Sequence, residues 1–284
     1  MFLIIGVLVV LGSVAGGFIL SHGHLAALWQ PYELLIIGGA ALGAFLISNP
    51  PKVVKAVLGN LPAVFAGSKY DKALYLDLLA LIYDLAMKAR KDGLMAVEGH
   101  IESPEESDIF QKYPKLLKHH HVIEFLCDYM RFMVWGSLNP FVLENLMDVE
   151  LDTHHEEAEL PGGALSKVSD GLPGFGIVAA VLGIVITMSF IGGEPAELGG
   201  HIAAALVGTF LGILLAYGFV APISTAMEHL AREEAKFMLC VKVCLLAMVN
   251  GYVPQVVVEF GRKVLYSTER PSFKELEEHL KGAK

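Results

Sequence analysis

No lysine or arginine precedes Lys52, and none lies between Lys167 and Arg232. Four apolar runs fall inside those cation-free windows, at residues 2–20, 34–50, 171–193 and 199–226, and they hold no aspartate or glutamate either. Charge-free runs of about this length are what a helix needs to cross roughly 30 Å of hydrocarbon. Cysteine is scarce as well: Cys127, Cys240 and Cys244 are the only three, too few for a disulfide scaffold. Phosphate-binding loops, nucleophile elbows and paired catalytic carboxylates are all missing, so neither an enzyme nor a resident cofactor is expected. What fills the 284 residues is apolar, at 54% hydrophobic with a mean hydropathy of +0.55. That composition points to a bilayer as solvent.

The cations then set the orientation. They are confined to Lys52–Lys118, Arg131, Lys167 and the stretch from Arg232 onward. By the positive-inside rule these segments are cytoplasmic, which leaves two short outer loops around residues 22–32 and 192–198 and puts both termini inside. The first run lacks a basic start and a convincing small-residue cleavage site before His22 and His24, so it is expected to stay in the protein. The expected organisation is all-α and polytopic: transmembrane helices 1 and 2 over 1–50, a helical cytoplasmic domain over 51–170, transmembrane helices 3 and 4 over 171–226, and a helical tail over 227–284. Nucleic acid is not expected among its partners.

Between the second and third runs, helical periodicity is clear over Tyr70–Arg90 and stops at Gly93. Ser103, Pro104 and Glu106 have the pattern of a helix start, as do Asn139 and Pro140, and His121–Val134 supplies another apolar-faced helix. Pro161, Gly162 and Gly163 predict a break before the third span. Beyond the fourth span the helical pattern runs on through Met248 to a stop at Asn250 and Gly251, and Ser272 with Glu275 forms a capping box. Cys240 and Cys244, one turn apart, read as small buried thiols, and His119, His120 and His121 as a solvated cluster, with no metal expected at either.

The spans are rich in small residues, with Gly12 and Gly16 in the first, Gly39 and Gly43 in the second, Gly208 and Gly212 in the fourth. Such spacing lets helices approach closely in lipid. Pro173 near the start of the third span and Pro222 near the end of the fourth lie at similar cytoplasmic depth, as a hinge or as ordinary helix-end geometry. The only ionisable group recognised in the spans is His201, near an outer end. A proton channel needs an ionisable group deep in the membrane, so the carrier is expected from a second chain. Thr187, Thr209 and Tyr217 are among the few polar side chains; the Thr209 hydroxyl either bonds its own helix or lines a pore.

Several segments carry a more specific signal: Leu172-Pro173-Gly174-Phe175-Gly176-Ile177-Val178-Ala179-Ala180, Val207–Gly218, Asn250-Gly251-Tyr252, Val258–Lys263 and Glu269-Arg270-Pro271-Ser272-Phe273. Through them nearly the whole chain resembles the MotA family of flagellar motor stator proteins, within the wider group of MotA, TolQ and ExbB proton channel subunits. The resemblance implies a homo-pentamer around a MotB dimer in the bacterial inner membrane. MotB is anchored to peptidoglycan and supplies the membrane aspartate, and ion flow drives the rotor protein FliG. It places Arg90 and Glu98 at the rotor contact, Pro173 and Pro222 at the conformational coupling, and Ala180, Thr209 and Tyr217 along the ion pathway. Ala180 stands where sodium-driven relatives such as PomA carry a threonine; a methyl group offers a hard cation no oxygen, which favours protons. The alternative is an energiser of the ExbB or TolQ type acting on an outer-membrane process, although those proteins have three spans in a different order.

Overall fold

The computed structural model describes residues 2–136 and 139–282. All regular structure among them is helical. Backbone contacts divide the chain into two compact units, residues 1–67 with 157–230 and residues 68–156 with 231–284. Among the described residues, four helical stretches are long and apolar enough to cross a membrane: Phe2–Leu20, Leu25–Ser48, Pro140–Met188 and Pro195–Val249.

The first unit opens with α1 (Phe2–Leu20), of which no residue is buried within the chain. A 3-10 turn (Leu25–Leu28) leads to α2 (Pro31–Ser48), and α3 (Pro51–Ala66) follows after Pro50. Proline at the first helical position costs no hydrogen bond, because that N–H has no helical partner anyway, so Pro31 and Pro51 both start helices cleanly. Starting α2 at Pro31 rather than at Leu34 brings Glu33 inside the helix. The third span lies in α7 (Pro140–Met188), which runs unbroken through Pro161 and Pro173. The break expected at residues 161–163 is therefore absent. Gly162 serves close approach instead: a methyl there would come within 2.9 Å of Glu228 Cγ, and the Ser224 hydroxyl donates to the Gly162 carbonyl at 2.8 Å. The fourth span is α8 (Pro195–Leu215), a single π turn (Ala216–Val220) and α9 (Ala221–Val249), with no break before Asn250.

The second unit is built on α4 (Lys72–Asp92), α5 (Glu98–Glu102), α6 (His120–Trp135), α10 (Pro254–Val264) and α11 (Phe273–Gly282), with α7 up to residue 156 and α9 from residue 231. Asp71 caps α4 by accepting from the Leu74 N–H at 2.8 Å, and Gly93, at φ 89°, ends it. The helix expected after Ser103 does not form. Ser107 diverts the chain by accepting from the N–H groups of Ile109 and Phe110, and Pro114 then supplies no donor, so only short 3-10 turns follow. The capping box at α11 is formed on both sides: the Ser272 N–H donates to Glu275 Oε2 at 2.6 Å, and the Glu275 N–H donates to Ser272 Oγ at 3.2 Å.

Large side chains fill the second unit's core, among them Leu79, Ile82, Phe110, Phe125, Tyr129 and Phe237, all nearly inaccessible. Cys240 and Cys244 are fully buried within it, packed against Gly261. Of the three histidines in sequence, His119 leaves solvent to lie between Tyr70 and Phe237, its ring centroid 5.3 Å and 5.9 Å from theirs.

Candidate functional site

The third and fourth spans cross on glycine. A methyl on Gly212 would lie 2.8 Å from both Gly176 Cα and the Leu172 carbonyl oxygen; one on Gly176 would lie 2.9 Å from the Gly208 oxygen. A methyl on Gly208 would meet Glu33 Oε2 at 3.1 Å, Ala179 Cβ at 3.2 Å and the Ala180 nitrogen at 3.3 Å. These contacts put backbone against backbone, the geometry small residues permit in lipid. The small residues of the first two helices behave differently. A methyl added at Gly12, Gly16, Gly39 or Gly43 would meet nothing within 4 Å, so the close packing expected of them does not occur within this chain.

Two of the three proposed ion-pathway residues meet at this crossing. Ala180 touches Gly208 through its backbone, and Thr209 follows Gly208 with its Cα 3.4 Å from where a methyl on Gly176 would stand. The Thr187 hydroxyl donates to its own helix, to the Gly183 carbonyl at 2.7 Å. Thr209 makes no such bond among the described residues, which leaves its hydroxyl available. Tyr217 is not part of the cluster: it sits in the π turn, 63% exposed.

That turn has a cause. Pro222 has no N–H and its ring crowds the preceding turn, and a π turn is one way a helix absorbs this. The Ala216 carbonyl at the start of the turn accepts from the Ala221 N–H and, at 3.0 Å, from the buried Ser169 hydroxyl of α7. Ser169 lies four residues before Pro173, so its own carbonyl loses its usual helical donor. The hydrogen bond from Ser169 to Ala216 thus joins the two proline-interrupted stretches, a link the sequence alone did not show.

The residue missed altogether is Glu33. It is 8% exposed, and its Oε2 has no hydrogen-bond partner among the described residues. Gly208, which it faces, lies about 20 Å along α8 from Pro195 at roughly 1.5 Å per residue, well inside the span. Counting only apolar residues started the second span at Leu34 and left the acid outside. Gln-Pro-Tyr-Glu, with proline at the first position and an acid in the first turn, is the signal that would have found it.

In the second unit, Arg90 is exposed in the last turn of α4 and Glu98 half-buried at the start of α5, one on each side of the Gly93 corner. Neither has an ion-pair partner among the described residues. Beside Arg90 opens a cavity of about 430 Å³ lined by Ala86, Leu94, Phe132, Leu143, Met248 and Tyr252. The corner therefore offers unpaired charge of both signs next to apolar surface.

Comparison with known proteins agrees with this architecture. Residues 4–93 match the model of the Motility protein A N-terminal region, and residues 118–238 match that of the MotA/TolQ/ExbB proton channel family. The chain is 51% identical to Motility protein A of Escherichia coli and 50% identical to that of Salmonella typhimurium, in each case over 100% of this chain and 96% of the relative. It is 40% identical to the chemotaxis protein LafT of Vibrio parahaemolyticus, covering 97% of each. Among solved structures, the Campylobacter jejuni MotAB structure superposes with a TM-score of 0.79 at 22% identity, covering 95% of this chain and 98% of that one. The MotAB stator complex of Bacillus subtilis gives 0.73 at 24%, covering 90% and 92%.

Proposed function

Because the chain belongs to the Motility protein A family, within the MotA/TolQ/ExbB proton channel family, it is a stator component of the flagellar motor, and we propose that it works as the rotating proton-conducting ring of that stator. Five copies surround a MotB dimer in the inner membrane, with both termini cytoplasmic, and MotB supplies the aspartate that carries the ion. The observation that best supports a housing for another chain's helix is the first unit itself. Outside the glycine crossing its helices leave Leu8, Val9, Leu35, Leu42, Ile47 and Val185 about half exposed or more, apolar surface suited to lipid and to neighbouring helices.

Each proton crossing 100 mV releases about 2.3 kcal/mol. For that to become torque, protonation of the MotB aspartate must change which packing of the surrounding spans is favoured. The Ser169–Ala216 link between Pro173 and Pro222 is suited to carry that change, since proline has already removed part of the local helical bonding. Ala180 and Thr209 line the ion's route, Tyr217 borders it towards the cytoplasm, and protons rather than sodium are the ion. Arg90 and Glu98 push on complementary charges of FliG. The ExbB or TolQ reading lacks comparable support, given identity of 50% and 51% to Motility protein A over the full length.

The test is charge reversal at the corner. Arg90→Glu abolishes swimming while leaving the complex with MotB intact, and a reversed charge on FliG partly restores it. Unimpaired swimming of Arg90→Glu overturns the rotor assignment.

A further inference from the structure

A carboxylate buried without a hydrogen-bond donor is expensive in a low-dielectric interior, and such groups persist where they bind a proton, a cation or a donor from another chain. Glu33 is in that position: 8% exposed, Oε2 unpartnered, lying against Gly208 at the crossing where Ala180 and Thr209 meet. The absence of a side chain at Gly208 makes the space, since even a methyl would press to 3.1 Å of the carboxylate oxygen. We propose that Glu33 is a second proton-carrying carboxyl group of the stator, which takes protons from the outer side and passes them to the carboxylate supplied by MotB. The inference rests on the proton-driven reading above and deepens it by adding a station in this chain.

The chemistry is a pair of proton transfers. An O–H bond of a hydrated proton breaks as one forms on a Glu33 oxygen; that bond then breaks as the MotB carboxylate gains the proton, and Glu33 returns to its starting form. The surroundings favour a proton over a metal cation. Besides the Glu33 oxygen, the atoms nearest a methyl at Gly208 are the Ala179 Cβ and the Ala180 backbone nitrogen, neither of which can ligate a hard cation. Other ionisable groups are few on the elements around it. α7 has none from residue 171 to Met188 and α1 has none at all; α2 has only Tyr32, 78% exposed. On α8 the groups are Glu197 and His201, the latter two turns before Gly208 on the same face and stacked on Phe190 at 4.3 Å. His22 and His24 lie in the segment before α2. Glu197, His22, His24 and His201 all belong to the outer side by the distribution of cations, where protons would be collected.

The test uses the full complex with MotB, purified for proton flux in vesicles and expressed in cells for swimming speed across external pH. Glu33→Gln keeps the shape and loses the proton site; it is expected to copurify with MotB normally while flux falls on the order of tenfold or more, a modest loss for a proton-transfer group. Glu33→Asp restores much of the flux, with a changed dependence of speed on external pH. Wild-type flux in a normally assembled Glu33→Gln complex overturns the proposal. So does loss of MotB from both variants, which would make Glu33 an assembly contact. Wild-type flux that follows sodium instead of protons refutes the proton reading by itself, and a sodium flux that also falls in Glu33→Gln makes Glu33 a cation ligand and overturns both.

Discussion

The two units of this chain solve the packing problem with opposite materials. In residues 68–156 and 231–284, bulky side chains such as Leu79, Phe110, Phe125 and Phe237 are buried almost completely around one another. In residues 1–67 and 157–230, the tightest contacts are made by side chains that are not there, at Gly176, Gly208 and Gly212, while many large apolar residues stay uncovered. Water drives the first arrangement by expelling apolar surface. Lipid exerts no such push between helices, so close backbone approach and shape have to hold the second. Adding atoms should therefore do most harm in the first unit, and removing them most harm in the second.

The largest effect is expected from Gly212→Ala. Its methyl would lie 2.8 Å from two backbone atoms, and backbone cannot swing aside as a flexible side chain can. Loss of swimming and loss of the assembled complex in membranes are the expected outcomes. The same substitution at Gly39, where nothing lies within 4 Å in this chain, separates contacts within the protomer from those between chains. Gly39→Ala should leave the protomer folded, and any defect should appear only as failed assembly. Equal damage to the protomer at both positions would break the contrast between them.

Leu79→Ala is the counterpart in the second unit. Leu79 is fully buried beside Gly261, and emptying such a site typically costs about 2–5 kcal/mol, so the melting temperature of the solubilised protein should fall clearly while the glycine crossing is undisturbed. Thermal unfolding followed by helix content checks it; an unchanged melting point would show that the unit repacks around the gap.

How much of this was legible beforehand follows from the same contrast. Length and the absence of charge disclosed the four spans, and local signals disclosed the end of α4 at Gly93 and the box at Ser272 and Glu275, because each of these depends on residues adjacent in sequence. The break expected at Pro161 failed since a proline removes one helical bond and the packing of Gly162 against Ser224 outweighs it. The helix expected at Ser103 failed because Ser107 and Pro114 compete for the same stretch. At the candidate site, Ala180 and Thr209 were named from resemblance and do lie at one crossing, but the Ser169–Ala216 bond and the seat of Glu33 over Gly208 depend on which helix face meets which. Periodicity in an evenly apolar helix carries almost no information about that, since there is no polar face to orient it.

The smallest expected effect belongs to an exposed edge of the second unit. Lys72, its Nζ 2.6 Å from Glu275 Oε1, and the Ser272 donors hold the Glu275 carboxyl down at about 2, against an ordinary 4.5. A carboxyl whose folded value is depressed adds stability above its unfolded value and loses it as pH falls towards the folded one. The contribution of this box should thus be complete above about pH 4.5 and fade between there and about 2. Both partners are largely exposed, at 42% and 46%, so solvent and salt screen the pair and the effect stays local to α11. With the intrinsic pH dependence of amide exchange divided out, the protection of the α11 amides should fall as pH drops across that window in the native chain, and Glu275→Gln should start poorly protected and stay level. The third span, without a titratable side chain between residue 171 and Met188, should not respond in step with α11; acid exchange that begins in that span would show that the two units do not respond separately to acid.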